Sequence, residues 1–215
     1  MAATHDMDIG TAPAAIPEPA PAVGAAAGDP AILGLPIFAA GSVALGLALT
    51  GYVSPAGVGS ALPIIFMGTG LGLLISTVWS AALGQTMVAC IFGLFAGFWL
   101  SYSALVLGLN HAWFAIPAPD VKHSVALFLI TWAVVMGSLA LATLRLPVAY
   151  TAVVVLVVAA LVLLIFGTIN ADETATKAAG WVTFAFAALG IYLFLGTASL
   201  ATGGKAYPLG RPILK

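Results

Sequence analysis

The chain has 215 residues, of which 62% are hydrophobic and only 6% are charged. Soluble proteins average about 25% charged residues, so this composition excludes a water-soluble fold and predicts a protein of the lipid bilayer. Six Lys and Arg against seven Asp and Glu give a net charge of −1, which leaves no basic surface for a nucleic acid. The single cysteine, Cys90, excludes a disulfide framework and a CxxC metal or redox motif.

Residues 1–28 are rich in Ala and Pro and contain no Lys or Arg. Such a segment has little apolar surface to bury, so we expect it to be a disordered cytoplasmic tail. A secretory signal peptide would need a basic start and an apolar run, and this segment has neither. The first membrane segment is therefore expected after residue 28.

Six stretches are long and apolar enough to cross a bilayer, whose core of about 30 Å requires roughly 20 residues per helix. They are residues 30–53, 60–82, 86–108, 123–144, 148–168 and 179–202. None of them contains an Asp, Glu, Lys or Arg. The sequence thus predicts an all-α integral membrane protein, with a six-helix transmembrane domain over 29–204 and a short basic tail over 205–215.

The distribution of basic residues predicts the orientation of the chain. Four Lys or Arg belong to the tails and to the loop after the fourth span, against two in the loops of the opposite side. By the positive-inside rule, both termini are expected in the cytoplasm. The very short connections at 83–85 and 145–147 also predict that spans two and three, and spans four and five, pack as antiparallel pairs.

The start of the first span carries two helix signals. Asp29 provides a capping carboxylate before Pro30, which suits the first helical position. Pro36 falls in the second turn, where it removes a backbone hydrogen bond and predicts a kink or a free carbonyl group.

Spans two and three each contain small residues at every fourth position. The two strips are Gly68, Gly72, Ser76 and Ser80, and Ala89, Gly93, Gly97 and Ser101. Strips of this kind let helices pack closely in lipid. The alternative interpretation is that their hydroxyl and backbone groups line a wet path.

Span three also carries an aromatic stripe on one helical face, formed by Phe92, Phe95, Trp99 and Tyr102. Such a stripe can narrow a pore, or it can serve packing and contact with lipid at the membrane interface. His111 and His123 flank the longest outer loop and have two interpretations as well, a sensor of external pH or exposed loop residues.

The spans offer no intramembrane Asp, Glu, Lys or Arg that could act as a proton relay or counter-ion. The sequence also has no nucleophile triad, phosphate loop or cluster of metal ligands. An enzyme, a cofactor and a metal site are therefore not expected. A passive path for a small solute fits better, lined by hydroxyl groups, backbone and aromatic rings.

The start of the first span resembles the acetate uptake transporter family, also called succinate-acetate permeases. The run Asp29-Pro-Ala-Ile-Leu-Gly-Leu35, with Phe38 three residues on, is similar to the family signature Asn-Pro-Ala-Pro-Leu-Gly-Leu followed by Phe. The resemblance extends to about residue 210. Its further matches are Gly84-Gln85-Thr86, Phe98-Trp99-Leu100, Trp132, Ala179-Gly180-Trp181, Ile191-Tyr192-Leu193 and Pro208-Leu209-Gly210.

This resemblance implies a homo-hexamer of six-helix subunits in the plasma (inner) membrane, each with its own pore. The implied solutes are acetate and related short carboxylates such as succinate. Phe38, Phe95 and Val157 are the implied constriction. The implied inner-mouth motif is Asp29, Pro30, Leu33, Gly34 and Leu35, and the candidate pore-lining residues are Gln85, Thr86 and Trp99.

The sequence also departs from the family pattern. Asp29 and Ile32 replace Asn and the second Pro of the signature, while Leu73 and Ser80 stand where members carry Gln and Glu. A path with fewer polar groups offsets less of the free-energy cost of removing water from a carboxylate. These departures therefore favour a neutral solute.

The primary hypothesis is therefore a channel or transporter for acetate-like monocarboxylates, whose partners are the solute, membrane lipid and further copies of the chain. The alternatives are a channel for a small neutral solute, such as ammonia, urea or an undissociated acid, and a membrane scaffold or sensor that transports nothing.

Overall fold

The structure, a computed structural model, describes residues 27–215. These residues contain no β-strand, and they form six helical spans that are long and apolar enough to cross a membrane. The predicted all-α fold with six transmembrane helices is confirmed. The predicted disordered tail lies outside the described residues, except for its last two positions.

The second span differs from the others because it combines three kinds of helix. Its 3-10 helix (Pro55–Ala61) and its π-helix (Ile64–Gly70) lead into α2. Short 3-10 turns at Ala118–Asp120 and Thr143–Arg145 flank α4. The α-helices are α1 (Ala31–Thr50), α2 (Leu71–Ala82), α3 (Thr86–Asn110), α4 (Val121–Ala142), α5 (Val148–Asn170) and α6 (Glu173–Ala201).

The start of α1 follows the expected capping pattern. The Ala31 N–H donates to the Asp29 carboxylate over 2.9 Å, which satisfies one of the backbone donors left free at a helix start. Pro36 lies inside the helix, in its second turn. At the other end, Gly51 closes the helix with a φ of 85°, a left-handed conformation that glycine adopts without a steric penalty.

The small-residue strip predicted on the second span is only partly correct. Gly72, Ser76 and Ser80 are buried, whereas Gly68 is exposed and Thr69 is buried instead. The π-helix explains this shift, because its i→i+5 hydrogen bonds put more residues in each turn than an α-helix has. A strip extrapolated from α-helical spacing therefore loses its register before residue 71.

The small residues serve helix packing. A Cβ atom at residue 72 would lie 2.5 Å from the Ile37 side chain, and one at residue 93 would lie 3.2 Å from the Thr77 side chain. The hydroxyl groups of Ser76, Ser80 and Ser101 each donate to the carbonyl oxygen four residues earlier in their own helix. Of the two interpretations of the strips, the structure supports close packing.

The sixth helix begins at Glu173, earlier than the predicted start at 179. The Asp172 carboxylate caps it, accepting from the N–H groups of Thr174 (2.8 Å) and Ala175 (3.2 Å). An exposed ion pair between Glu173 and Lys177, at 3.4 Å, lies in the first turns. The prediction was wrong here because hydropathy locates only the apolar part of a helix, while the cap determines where the helix starts.

The helices pack as the short connections predict, with α2 against α3 and α4 against α5. α6 contacts both α1 and α5. We call the two ends of the bundle the Asp29 end and the Asp172 end. The C-terminal tail folds over the Asp29 end, where the Leu209 carbonyl accepts from the Ala149 N–H (3.1 Å) and the Pro208 carbonyl accepts from the Tyr192 hydroxyl (2.8 Å).

The cap of α6 yields a prediction with a matched control. Asp172→Ala should lower the free energy of unfolding by about 1 kcal/mol, because two backbone donors lose their acceptor. Asp120→Ala should have a much smaller effect, since the Asp120 side chain precedes α4 without capping it. Unfolding of both variants by titration with SDS in mixed micelles measures the difference, and equal losses would contradict the prediction.

Candidate functional site

Four cavities follow one another through the subunit, between α1, α3, α5 and α6. Counted from the Asp29 end, they have volumes of about 310, 40, 20 and 680 Å³. Tyr150 and Leu35 line both the first and the second cavity, and Phe38 and Phe95 line both the second and the third. The row thus narrows from both ends toward the middle of the bundle.

The order of lining residues along α3 confirms this arrangement. Phe92 lines the first and second cavities, Phe95 the second and third, Trp99 the third, and Tyr102 the fourth. The aromatic stripe predicted on this helix therefore faces the row of cavities. Of its two interpretations, the structure supports the one in which the stripe borders an internal path.

Three phenylalanine rings separate the second and third cavities. The Phe38 and Phe95 rings meet edge to face with centroids 4.8 Å apart, and the Phe186 ring lies 5.7 Å from that of Phe38. All three side chains are buried. A cavity of about 20 Å³ holds a single water molecule, so in this conformation the row is closed at the rings.

The residues of the expected constriction lie together at this point. Phe38 and Phe95 form the ring contact, and Val157 lines the third cavity beside them. Sequence reasoning missed Phe186. The sequence does contain a glycine, Gly190, one helical turn after Phe186, and such a glycine indicates close helix packing. In the structure, a Cβ atom at residue 190 would lie 3.1 Å from the Phe38 ring. This glycine lets α6 approach α1 at the constriction.

The inner-mouth motif is divided between the path and the packing around it. Asp29 and Leu35 line the first cavity, whereas Leu33 does not. Pro30 is fully buried. Gly34 is buried against the Phe92 ring, where any larger residue would clash. The motif therefore both shapes the first cavity and sets the distance between α1 and α3.

Gln85 and Thr86 do not line any of the four cavities. Gln85 lies in the tight connection between α2 and α3 and is partly buried, whereas Thr86 is the exposed first residue of α3. The structure does not bring them to the path of this subunit. Trp99, the third candidate, does line the third cavity and is only 1% exposed.

Leu73 and Ser80 also lie away from the path. Both are buried on α2, where the Ser80 hydroxyl donates to the Ser76 carbonyl over 2.7 Å, and neither lines a cavity of the row. The side chains present at these two positions therefore do not face the four cavities. The expectation that the path loses polarity there stays a prediction.

The charged groups of the row lie at its two mouths. Asp29 lines the first cavity, and Asp172, Glu173 and Lys177 line the fourth. No charged residue of the described chain lines the second or third cavity. The mouths can hold a hydrated solute, and the closed middle admits only a solute that has shed its water.

The remaining sequence candidates lie outside the row. The His111 ring stacks on the Trp113 ring with centroids 5.8 Å apart, and His123 is exposed. Cys90 is exposed on the surface of α3. Within residues 27–215, no group of His, Cys, Asp and Glu has the arrangement of a metal site.

Comparisons with known proteins agree with this architecture. The model of the GPR1/FUN34/yaaH family matches residues 12–213. The solved structure of the bacterial acetate channel SatP superimposes with a TM-score of 0.75 at 24% sequence identity, covering 86% of this chain and 99% of that one. This likeness establishes the fold.

A curated relative is the meiotically up-regulated gene 86 protein of Schizosaccharomyces pombe, which is 32% identical over 130 residues. The alignment covers 57% of this chain and 41% of the relative. The chain thus spans less than half the length of the curated relative that it matches.

Cysteine accessibility tests the closed middle of the row. In a Cys90→Ser background, Lys177→Cys should react readily with a charged, water-soluble methanethiosulfonate. Val157→Cys should react at least roughly a hundredfold more slowly, because the reagent reaches this residue only when the constriction opens. We expect this opening to cost about 3 kcal/mol or more. Rates of modification that are equal at both positions would contradict the closed constriction.

Proposed function

Because the chain belongs to the GPR1/FUN34/yaaH family, the acetate uptake transporter family that its motifs resemble, we propose that it is a channel or transporter for acetate and related short monocarboxylates. The observation that carries this proposal is the row of cavities, which runs between four helices of one subunit and is closed by three phenylalanine rings. A protein with the same fold is a bacterial acetate channel.

The dimensions of the row suit a solute of this size. The first and fourth cavities are large enough for a hydrated carboxylate, whereas the second and third, at about 40 and 20 Å³, hold little more than one water molecule each, so only a small solute that has shed its water would pass when the rings move. Apolar walls favour the methyl end of acetate.

Three further features belong to the proposal. The Asp29 end faces the cytoplasm of a plasma (inner) membrane, because four of the six Lys and Arg lie with that end. The subunits assemble as a hexamer, for which an apolar groove of about 490 Å³ between α1, the π-helix and α6 offers a surface. Succinate is a second solute, passing more slowly because it is longer and carries two carboxyl groups.

Uptake of labelled acetate by proteoliposomes of the purified protein tests the function. We expect initial rates well above those of protein-free liposomes at about pH 8, where nearly all acetate is ionised and little crosses the lipid. Labelled urea, and methylamine as an analogue of ammonia, serve as the controls for a channel of neutral solutes. Flux of these solutes without acetate flux would favour that alternative, and no flux of any solute would favour a scaffold.

The constriction predicts how selectivity changes with ring size. Phe95→Ala should raise the ratio of succinate to acetate uptake by roughly tenfold, a barrier change of about 1.4 kcal/mol, because it opens the contact with Phe38. Phe128→Ala is the matched control, since Phe128 packs against Phe98 and lines none of the cavities. An unchanged ratio in Phe95→Ala would show that the contact between the rings does not determine selectivity.

A further inference from the structure

Three basic side chains surround the short connection between α4 and α5, at the Asp29 end of the bundle. The first is Arg145, which follows Leu144. The Leu144 carbonyl accepts from the N–H groups of Ile213 (3.1 Å) and Leu214 (2.9 Å). Because neighbouring Cα atoms are about 3.8 Å apart, these bonds keep the Cα atoms of Arg145 and Lys215 within about 11 Å of each other. Long side chains that start this close can converge on one anion.

Arg211 is the third of these residues. It follows Gly210, whose backbone is left-handed (φ 77°) and lies so close to Val148, at the start of α5, that a Cβ atom at residue 210 would clash with it. The tail therefore lies along the connection from the end of α4 to the start of α5. We call Arg145, Arg211 and Lys215 the basic cluster.

The basic cluster has no acidic partner among residues 27–215. The ion pair that these residues contain joins Lys177 to Glu173 at the Asp172 end. Asp29 belongs to the same end as the cluster, but its carboxylate caps α1. All three side chains of the cluster are exposed. Within the part of the chain that the structure describes, this corner of the bundle is therefore positively charged.

Two exposed apolar side chains lie between the two cations of the tail. Ile213 and Leu214 are 58% and 48% exposed. Leu141 and Val148, on the adjoining ends of α4 and α5, are exposed as well and belong to membrane spans. A segment that alternates cations with apolar side chains is typical of the bilayer interface, where the apolar groups enter the acyl boundary and the cations meet the phosphates.

We propose that the basic cluster binds the head group of an anionic phospholipid in the leaflet that borders the Asp29 end. The lipid phosphate accepts hydrogen bonds from the guanidinium groups of Arg145 and Arg211 and from the ammonium group of Lys215. Ile213 and Leu214 contact the upper part of its acyl chains. A free phosphate would pair with the cations but leave both apolar side chains uncovered, whereas a lipid covers both kinds of group. Such a site does not depend on which solute the path carries.

Lipid binding to the purified protein in a neutral detergent tests the site. Native mass spectrometry from an acetate-free volatile buffer gives the dissociation constant of the first lipid bound by each subunit. Dioleoyl phosphatidylglycerol should bind roughly tenfold or more tightly than dioleoyl phosphatidylcholine, because each cation near the surface contributes roughly fivefold to the binding of a negatively charged head group. This preference should decrease as the ionic strength rises, since exposed charges are screened by salt.

Variants of the cluster test the residues. Arg145→Gln should lower the preference for the anionic lipid roughly fivefold, and Arg145→Gln, Arg211→Gln and Lys215→Gln together should abolish it. Lys122→Gln is the matched control, because Lys122 is an exposed cation at the Asp172 end. Ile213→Ser should weaken the binding of both lipids equally, since an apolar contact does not depend on the charge of the head group.

Equal binding of the two lipids by the wild type would overturn this inference, as would a preference that Lys122→Gln lowers as much as Arg145→Gln does. Inorganic phosphate that displaces the anionic lipid more than chloride does at the same ionic strength would assign the cluster to a free anion instead. Because the preference is first measured on the unmodified protein, a variant that fails to fold does not remove the test.

Discussion

The absence of water from the bilayer core is the constraint on which this structure depends. A polar group inside a span must find its partner within the protein. The buried hydroxyl groups do so by donating to the carbonyl oxygens of their own helices, as Ser42, Ser76 and Ser103 do. These bonds satisfy the hydroxyl donors within each helix, so that the helices can pack against one another through their small residues.

The same constraint isolates the indole of Trp99. Its N–H cannot reach a carbonyl of its own helix, and the cavity beside it is lined mainly by apolar side chains. A buried donor of this kind carries a free-energy penalty unless a solute or a water molecule accepts its hydrogen bond.

The packing that forms the constriction depends on residues from distant parts of the chain. Gly190 on α6 allows the Phe38 ring to lie close to the Phe95 and Phe186 rings. Thr69 fills the space beside Gly41 on α1 and donates to the Ile37 carbonyl over 3.1 Å. The π-helix that carries Thr69 thus supports α1 from the side.

The sequence by itself determined that the chain lies in a lipid bilayer, how many spans it has and most of their limits, because hydropathy and helix caps are local properties of the chain. Phe38, Phe95 and Val157 were found by matching positions to the family, and the aromatic stripe through helical periodicity. The tertiary structure alone decided which faces meet: it added Phe186 and excluded Gln85 and Thr86 from the row of cavities. It also replaced Gly68 by Thr69 in the small-residue strip, since helix register and the approach of α1 to α6 depend on contacts between residues far apart in sequence.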